Sequence, residues 1–356
     1  MPIIIYGAGN NGKKLLQYFQ NAHREVLFFL DKTPKNSINN KAVFSLLEIP
    51  EIDRSKVDVY ISIFNRDVDV SVIQQDLLAL HFVNVYSMME LVQQETAFAN
   101  HSLDSYWLTS PVFFETHKKQ FEQAQNLFTD PESISIFQRT FQARLLAKAE
   151  LLPKPRPIEE QYFSEDIPLK NVHSFVDAGA FDGDTLPFLL KKYPALHTYL
   201  GFEPDQKNFD ALSKQIKLNY AKQINNISIY PCGLWSKTEI LKFSDNNGEA
   251  SAIGESSEGI SIQCLALDQV VFNTQIDYIK MDIEGAELQA LYGAEQTIRT
   301  HQPNLAICVY HQPEHLYTIP LLLNSWHLGY TFYLRQYGFY GFDLVLYAIP
   351  TLLVHQ

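Results

Sequence analysis

The sequence predicts an α/β protein in which two Rossmann-like units stand in tandem, joined by a helical bridge. Two observations lead to this prediction. A strand, a glycine-rich turn and a helix follow one another twice, at residues 3–21 and again at residues 174–193. The chain also has 356 residues, which is enough for each turn to open a domain of its own.

The composition fits a folded protein and argues against some classes of function. Hydrophobic residues make up 46% of the chain and charged residues 19%, which excludes a disordered protein. The formal net charge of −12 argues against nucleic acid as a partner, because phosphate contacts dominate that affinity. A small neutral or partly apolar substrate fits this charge better than a polyanion does.

Cysteine usage and apolar runs indicate a cytoplasmic protein. Cys232, Cys264 and Cys308 form no C-x-x-C pair, which argues against disulfides and zinc clusters. The first residues are apolar without a basic segment, so we expect no signal peptide there. No apolar run reaches the length of a membrane-spanning helix.

The first unit, residues 1–92, begins with the turn G-A-G-N-N-G. Its glycines Gly7, Gly9 and Gly12 follow a strand and open a helix, and Asp31 ends the second strand. This context is typical of a dinucleotide site, where the acid binds a ribose hydroxyl. We predict a polar loop at residues 34–40 and three or four strands in this unit. That number of strands is too small for a full NAD site.

Residues 93–171 are predicted to form a helical bridge and a proline-rich connector. Apolar residues recur every three or four positions at 114–128 and 133–151, which indicates helices. The run L-P-K-P-R-P at residues 152–157 then favours a stiff extended segment.

The last unit, residues 172–356, alternates strands with helices. Strands are expected at residues 174–177, 199–203, 227–231, 278–282, 304–310, 331–337 and 343–349, and helices at residues 186–193, 207–219, 286–300 and 314–326. The final pair looks like a hairpin, which gives the seven-stranded sheet an antiparallel last strand. Residues 246–259, rich in Gly and Ser, are either a surface loop or a lid over the substrate.

Two motifs in this unit predict a cofactor site. Asp177 ends the first strand, and the turn after it, from Gly179 through Ala180 and Phe181 to Gly183, gives a ligand access to the backbone. The acid suits a positively charged ligand such as S-adenosylmethionine better than a phosphate. Glu203-Pro204 ends the second strand, where a carboxylate can accept hydrogen bonds from both ribose hydroxyls.

Two further motifs predict the reacting groups. Asp282 ends the fourth strand and Glu284 follows in the loop, whereas Glu287 is explained as a helix-start residue favoured by the helix dipole. His311 ends the fifth strand at the same edge. Methylation of an alcohol needs a base, for which Asp282 and His311 are candidates. Asp282 and Glu284 would be the ligands in a variant of the reaction that uses Mg²⁺.

Together these segments resemble the FkbM family of methyltransferases. The resemblance is carried by V-D-A-G-A-F-D-G-D-T, G-F-E-P, Y-I-K-M-D-I-E-G-A-E, V-Y-H-Q-P-E-H-L and the closing Y-L-R-Q-Y and D-L-V-L-Y-A-I-P, with Q-Y-F at residues 161–163 similar to the lead-in of longer members. It implies a class I methyltransferase sheet, S-adenosylmethionine as cofactor, and O-methylation of a small-molecule or glycan acceptor such as a sugar or glycolipid. The residues it places at the cofactor are Asp177, Gly179, Gly183 and Glu203, and those near the transferred methyl group are Asp282 and His311.

The N-terminal unit resembles a different family. Y-G-A-G-N-N-G followed by F-F-L-D is similar to the small domain of bacterial sugar acyltransferases that binds a nucleotide-sugar, although the G-x-P-V segment of that domain reads N-K-A-V here. The unit would then bind a nucleotide or nucleotide-sugar, or serve as a docking domain without a ligand.

The alternatives to an O-methyltransferase differ in acceptor or in class. They are an N- or side-chain-directed methyltransferase, a module that binds S-adenosylmethionine or a nucleotide without turnover, and an NAD-dependent dehydrogenase built on the N-terminal turn. The sequence leaves the oligomeric state open, a homo-oligomer included.

Overall fold

The computed structural model describes residues 1–34, 37–95, 98, 106–243, 253–254, 260–271 and 274–351. The loop or lid predicted at residues 246–259 lies outside the described residues, except for Ile253 and Gly254. The chain divides into two compact units. Unit 1 comprises Met1–Lys118, Ile136–Lys154 and Gly338–Phe342, and unit 2 comprises Lys119–Ser135, Pro155–Tyr337 and Asp343–Gln356. The domain boundaries that we placed at residues 92 and 171 stay a prediction.

Unit 1 contains a six-stranded sheet in the order β3-β4-β2-β1-β5-β6. The strands are β1 (Ile3–Tyr6), β2 (Val26–Leu30), β3 (Ser37–Ile38), β4 (Lys41–Phe44), β5 (Asp58–Ile61) and β6 (Asn84–Tyr86). All neighbours are parallel except β3 and β4. The central strand β1 is buried throughout, as its apolar run predicts. The expected count of three or four strands is wrong, because β3 has only two residues, within the stretch expected to be a polar loop, and the four-residue β4 (K-A-V-F) follows it closely.

Several helices lie within residues 1–34, 37–95 and 106–146, which the structure describes. They are α1 (Asn10–Asn21), α2 (Val70–Ala79), α3 (Met88–Gln94), α4 (Pro111–Thr116), α5 (Lys118–Gln125) and α6 (Pro131–Leu146). The helices predicted for the bridge are therefore present, with a break at His117 between α4 and α5. The start of α3 is stabilised by a capping box, in which Ser87 and Glu90 bond each other's backbone amides.

One fully buried side chain of unit 1 is charged. Arg144, on α6, is 1% exposed, and its guanidinium carbon lies 4.5 Å from the ring centre of Trp107. Within the described part of the chain, none of its three side-chain nitrogens has a hydrogen-bond partner. Stacking on an aromatic ring recovers about 2 kcal/mol at best. Because burying an unpaired ion costs several kcal/mol, the stacking leaves most of that cost uncompensated.

Unit 2 contains a seven-stranded sheet in the order β16-β17-β15-β14-β7-β8-β9. The strands are β7 (Ser174–Ala178), β8 (Thr198–Phe202), β9 (Asn226–Tyr230), β14 (Tyr278–Met281), β15 (Asn304–Cys308), β16 (Tyr330–Gln336) and β17 (Leu344–Pro350). β17 runs antiparallel to β15 and β16, and the remaining pairs are parallel. This confirms the predicted sheet and its antiparallel last strand.

A smaller four-stranded sheet in the order β10-β13-β11-β12 is inserted between β9 and β14. Its strands are β10 (Gly233–Leu234), β11 (Glu239–Phe243), β12 (Ile253–Gly254) and β13 (Ile260–Leu265). The helices of unit 2 beyond α6 are α7 (Leu186–Lys192), α8 (Gln206–Gln215), α9 (Leu267–Val270), α10 (Glu287–Tyr292), α11 (Glu295–His301) and α12 (His315–Ser325). The single helix expected at residues 286–300 is two helices. Its break lies at Gly293, where a Cβ atom would stand 2.0 Å from the carbonyl oxygen of Trp235.

Unit 2 fixes the proline-rich connector with an ionic network. Arg156 bonds Glu132 and Asp166, and the carboxylate of Asp166 also accepts hydrogen bonds from Arg335. Burial raises the pKa of Asp166, but the two guanidinium groups outweigh it and hold this pKa well below its ordinary value. Residues 155–157 of the connector therefore belong to the folded body of unit 2, whereas residues 152–154 belong to unit 1.

Two findings bear on earlier expectations. Cys232, Cys264 and Cys308 are buried and free. Among the described residues, no helix combines the length and the apolar character needed to cross a membrane.

In unit 2, the parallel order brings the carboxyl ends of β7, β8, β14 and β15 to one edge, where open α/β sheets bind ligands.

Candidate active site

The glycine-rich turn after β7 is shaped by the chain itself. Gly179 has a φ of +78°, and a Cβ atom there would lie 1.9 Å from the carbonyl oxygen of Asp282. The close approach that requires this glycine is therefore to the backbone after β14, not only to a ligand. Phe181, also left-handed at φ +46°, leaves its ring half-exposed at the end of the turn.

Glu203 braces the same turn from the end of β8. Its Oε2 accepts a hydrogen bond from the amide of Phe181 at 2.9 Å, and its Oε1 accepts one from the amide of Asp205 at 2.9 Å. Burial raises the pKa of Glu203 although these two bonds act in the opposite direction. A carboxylate can accept about four hydrogen bonds, so Glu203 keeps capacity for ribose hydroxyls.

Asp177 is paired with a lysine of the same sheet. Its Oδ1 lies 3.0 Å from Nζ of Lys280, and its Oδ2 accepts a hydrogen bond from the Tyr199 hydroxyl at 3.0 Å. Lys280 also donates to the carbonyl oxygen of Gly179 at 2.5 Å. Burial alone would lower the pKa of Lys280. Asp177 and nearby carboxylates raise this pKa by a larger amount, so the net shift is upward. Lys280 is thus a partner of Asp177 that the motif around Asp177, which predicts a cationic ligand, does not reveal.

Three of the predicted site residues meet at the ends of β14 and β15. The ring of His311 is buried, and its Nε2 lies 3.4 Å from Oδ1 of Asp282 and 3.6 Å from Oε2 of Glu284. Its Nδ1 lies 2.7 Å from Oε1 of Glu287. The imidazole is therefore surrounded by three carboxylates.

Glu287 has a larger role than a helix start. It lies in the first turn of α10 as predicted, but it is fully buried between His311 and Nδ1 of His315, 3.3 Å away. It also accepts a hydrogen bond from the amide of Ile283 at 2.9 Å. Burial raises the pKa of Glu287, but the two histidines outweigh it and hold the pKa well below its ordinary range. Glu287 is thus the counter-ion of the cluster.

The carboxylates set the charge of His311. Burial lowers its pKa, but Glu287, Glu284 and Asp282 together raise it to about 10. This upward shift favours an imidazolium at neutral pH, in which both ring nitrogens carry protons, and the role of His311 as a base stays a prediction.

Glu284 is the carboxylate of the cluster whose affinity for protons is raised. Burial raises its pKa, and Asp282 and Glu287 add to this against the opposing charge of His311, to about 7. Its backbone is left-handed at φ +54°, a conformation that non-glycine residues rarely adopt. At Gly285, φ is +100° and a Cβ atom would lie 2.7 Å from Nε2 of Gln312. A constrained turn thus directs Glu284 at the cluster.

A tyrosine from the connector completes the site. The hydroxyl of Tyr162 donates to Oδ2 of Asp282 at 2.7 Å, and its amide donates to the Tyr347 hydroxyl at 2.9 Å. Tyr162 is buried and left-handed at φ +69°. The sequence predicts no role in the site for residues 161–163 beyond a lead-in, because no local pattern relates them to Asp282.

Binding of Mg²⁺ by Asp282 and Glu284 stays a prediction. One oxygen atom of each carboxylate faces Nε2 of His311, at 3.4 Å for Asp282 and 3.6 Å for Glu284. Across the described residues, no group of three or more His, Cys, Asp or Glu side chains is arranged to hold a metal ion.

The N-terminal turn has the same loop-and-acid geometry. Gly7 has a φ of +102°, and a Cβ atom on Gly12 would lie 2.1 Å from the carbonyl oxygen of Gly7. Asp31 accepts hydrogen bonds from the amides of Ala8 at 2.7 Å and Thr33 at 2.9 Å. Gly9 is the position with open space around it. A ligand at this turn stays a prediction.

Comparison with known families identifies the C-terminal part of the chain. Residues 177–339 match the family described as the methyltransferase FkbM domain. They form an FkbM methyltransferase domain. The resemblance predicted from the motifs is confirmed for these residues, and the domain contains all the predicted cofactor and reacting residues of unit 2. The likeness of the N-terminal unit to sugar acyltransferases stays a prediction.

Solved structures agree with the fold of the FkbM domain. The chain is similar to a crystal structure of methyltransferase FkbM from Methylobacillus flagellatus KT, at 19% identity and a TM-score of 0.77, over 98% of this chain and 89% of that one. At this identity the likeness shows the fold. A putative caffeoyl-CoA O-methyltransferase from Staphylococcus aureus matches at 13% identity and a TM-score of 0.36, over 67% of this chain and 100% of that one, which is too weak to carry an argument. No curated protein matches the sequence significantly.

Proposed function

We propose that the FkbM domain transfers a methyl group from S-adenosylmethionine to a hydroxyl group of a small-molecule or glycan acceptor, such as a sugar or glycolipid, in the cytoplasm. The observation that supports this is the His311 cluster beside the turn that Glu203 braces. This cluster supports the proposal because it combines a carboxylate of raised pKa with a histidine of raised pKa, close to the turn at which we propose that the cofactor binds.

The residues around the turn after β7 fit the cofactor. Gly179, Ala180, Phe181 and Gly183 would border it, with Glu203-Pro204 at the ribose. S-adenosylmethionine bound there supplies an electrophilic methyl group on a sulfonium. Asp177 acts indirectly, since it anchors Lys280, which holds the carbonyl oxygen of Gly179.

Glu284 is the general base of the proposed reaction. A neutral hydroxyl must lose its proton as the new C–O bond forms, and a base with a pKa near the working pH does this best. Glu284 meets that condition, whereas His311 is already protonated. The imidazolium instead orients Asp282 and Glu284, and Tyr162 holds the far oxygen of Asp282.

The test uses the full chain, S-adenosylmethionine with a labelled methyl group, and acceptors pooled as sugars, glycolipids, nucleotide-sugars and peptides. We expect label on an oxygen of a hydroxylated acceptor. Glu284→Gln should reduce turnover by about 100-fold or more while leaving the Kd for S-adenosylmethionine unchanged. The control is Glu295→Gln on α11, where the carboxylate pairs with Arg299 outside the cluster.

Other results would overturn parts of this proposal. Label on a peptide or amine would favour N- or side-chain-directed transfer. Cofactor binding without methyl loss to any pool would favour a binding module. Full activity of Glu284→Gln would remove Glu284 as the base.

A further inference from the structure

Three groups in the interior of unit 1 that can donate hydrogen bonds have no partner among the described residues. They are the guanidinium of Arg144, the hydroxyl of Thr140 and the indole N–H of Trp107. The three residues are 1%, 0% and 1% exposed, so water cannot satisfy them at the surface. Each of the three groups can donate a hydrogen bond, and two of them can only donate.

These groups form one cluster. Thr140 and Arg144 are four residues apart on α6, so their side chains lie on the same face of the helix. Arg144 stacks over the ring of Trp107 at 4.5 Å. Gly341, left-handed at φ +80°, lies beside the indole, where a Cβ atom would come within 3.2 Å of Nε1. A larger residue there would press on the N–H edge of the indole.

The positive charge of this cluster has no counter-ion in the described chain. An arginine stays protonated at neutral pH even when burial lowers the pKa, here to about 9 with no contribution from a carboxylate. Arg335 in unit 2 shows the usual arrangement, because it is equally buried but bonds Asp166 and Asp130. Buried guanidinium groups are normally paired in this way.

We propose that Arg144, Thr140 and Trp107 bind a small oxyanion inside unit 1. The group it recognises is a carboxylate or a phosphate, because two oxygen atoms of either can accept from the guanidinium fork while further lone pairs accept from Thr140 and Trp107. This site is separate from the FkbM domain, and nothing in it depends on methyl transfer. Since the donors are shielded, the anion exchanges slowly and accompanies the purified protein.

The first experiment looks for that anion. The full chain is desalted extensively and denatured, and the released small molecules are analysed by ion chromatography and mass spectrometry. We expect about one equivalent per chain from the wild type and a loss of at least tenfold from Arg144→Met. Arg139→Met is the matched control, because Arg139 lies on the same helix and donates to the carbonyl oxygens of Leu151 and Leu152.

The second experiment separates the two sources of an oxyanion. Protein refolded without anions other than chloride is titrated with inorganic phosphate in one arm and acetate in the other. One of them should raise Tm by about 5 to 10 °C at saturation in the wild type but not in Arg144→Met. The arm that responds identifies the group.

The proposal fails on either of two results. If neither phosphate nor acetate moves Tm and Arg144→Met is more stable than the wild type under all conditions, the guanidinium is simply buried unpaired. If Arg144→Met does not fold, Trp107→Phe removes the N–H group and keeps a ring. An unchanged anion affinity in that variant, together with no released anion from the wild type, overturns the site.

Discussion

The two glycine-rich turns of this protein are built alike but have different surroundings. In unit 1 the acidic residue at the end of the second strand, Asp31, accepts a hydrogen bond from the amide of Ala8. In unit 2 the equivalent residue, Glu203, accepts a hydrogen bond from the amide of Phe181. In both units the second oxygen of the acid accepts an amide two residues further on. In both units the clasp between acid and turn is thus formed by hydrogen bonds within the chain itself.

What distinguishes the units is the charge at the neighbouring strand ends. In unit 2 the ends of β14 and β15 carry the buried His311 and its carboxylates. In unit 1 the corresponding strand β5 leads to Ser62, whose hydroxyl only bonds the carbonyl oxygens of Tyr6 and Gly7. A glycine-rich turn therefore indicates a position for a ligand, whereas the cluster of ionisable side chains indicates groups that can take part in a reaction.

The largest difference should appear when the counter-ion of the cluster is removed. Glu287→Gln leaves His311 and His315 without their buried carboxylate, and we expect a loss of about 3 to 5 kcal/mol in the free energy of unfolding. Asp31→Asn in unit 1 should lower the free energy of unfolding by less than about 1.5 kcal/mol, because it only weakens the hydrogen bonds that the side chain accepts from backbone amides. Denaturation in urea measures both. Equal losses would mean that the cluster is no more critical than the clasp.

Adding a methyl group to each turn separates function from packing. Gly179→Ala and Gly12→Ala both force a Cβ atom against a carbonyl oxygen, so each should cost about 2 to 4 kcal/mol of stability. Only Gly179→Ala displaces the backbone of Asp282, and it alone should weaken the binding of S-adenosylmethionine in calorimetry. Gly9→Ala is the control, since a Cβ atom there meets nothing within 4 Å. Loss of cofactor binding in Gly12→Ala would contradict this division.

Replacing Glu203 should weaken the binding of S-adenosylmethionine, whereas replacing Asp31 should not. Glu203→Ala removes charge-assisted hydrogen bonds worth about 1.5 to 3 kcal/mol each, so the Kd for S-adenosylmethionine should rise at least tenfold. Asp31→Ala should leave that Kd unchanged and affect only a nucleotide or nucleotide-sugar, if unit 1 binds one. Titration with NAD, nucleotide-sugars and S-adenosylmethionine tests each variant. An unchanged Kd in Glu203→Ala would remove the ribose assignment.

A further effect is a dependence of stability on pH. The pKa of His311 is raised in the folded protein, so its stabilising contribution is complete below about pH 6.5 and is lost as the pH rises to about 10. The free energy of unfolding should fall by about 1 kcal/mol per pH unit between pH 7.5 and 9.5. His311→Asn should lack this slope. A ring-proton NMR titration of His311 with a midpoint near 6.5 would contradict the assignment.

The sequence predicts the strand ends of unit 2 well but not what links them. Continuous apolar runs that stop at Asp177, Glu203, Asp282 and His311 locate the site, because strand period and strand end are local properties. The pairing of Lys280 with Asp177 depends on the register of β14 against β7, in which these two residues are direct neighbours. A lysine within an apolar strand was nevertheless a usable signal, since a buried ammonium needs a counter-charge.

The role of Glu287 shows a different limit. Its position at a helix start has a sufficient local explanation in the helix dipole, so the sequence gives no reason to look further. Only the packing of α10 against α12 brings it between His311 and His315. The charge of His311 likewise depends on tertiary packing, because its raised pKa results from three carboxylates that the fold brings together.

The contact between Tyr162 and Asp282 limits how small a working version of this enzyme can be. Tyr162 precedes the FkbM domain at residues 177–339, and it also precedes the boundary that we drew at residue 172. A fragment that starts at either place would keep the motif residues from Asp177 to His311 and still lose the hydroxyl that holds Asp282. Anyone who transplants this domain onto another protein should carry the connector with it, from Pro155 onward.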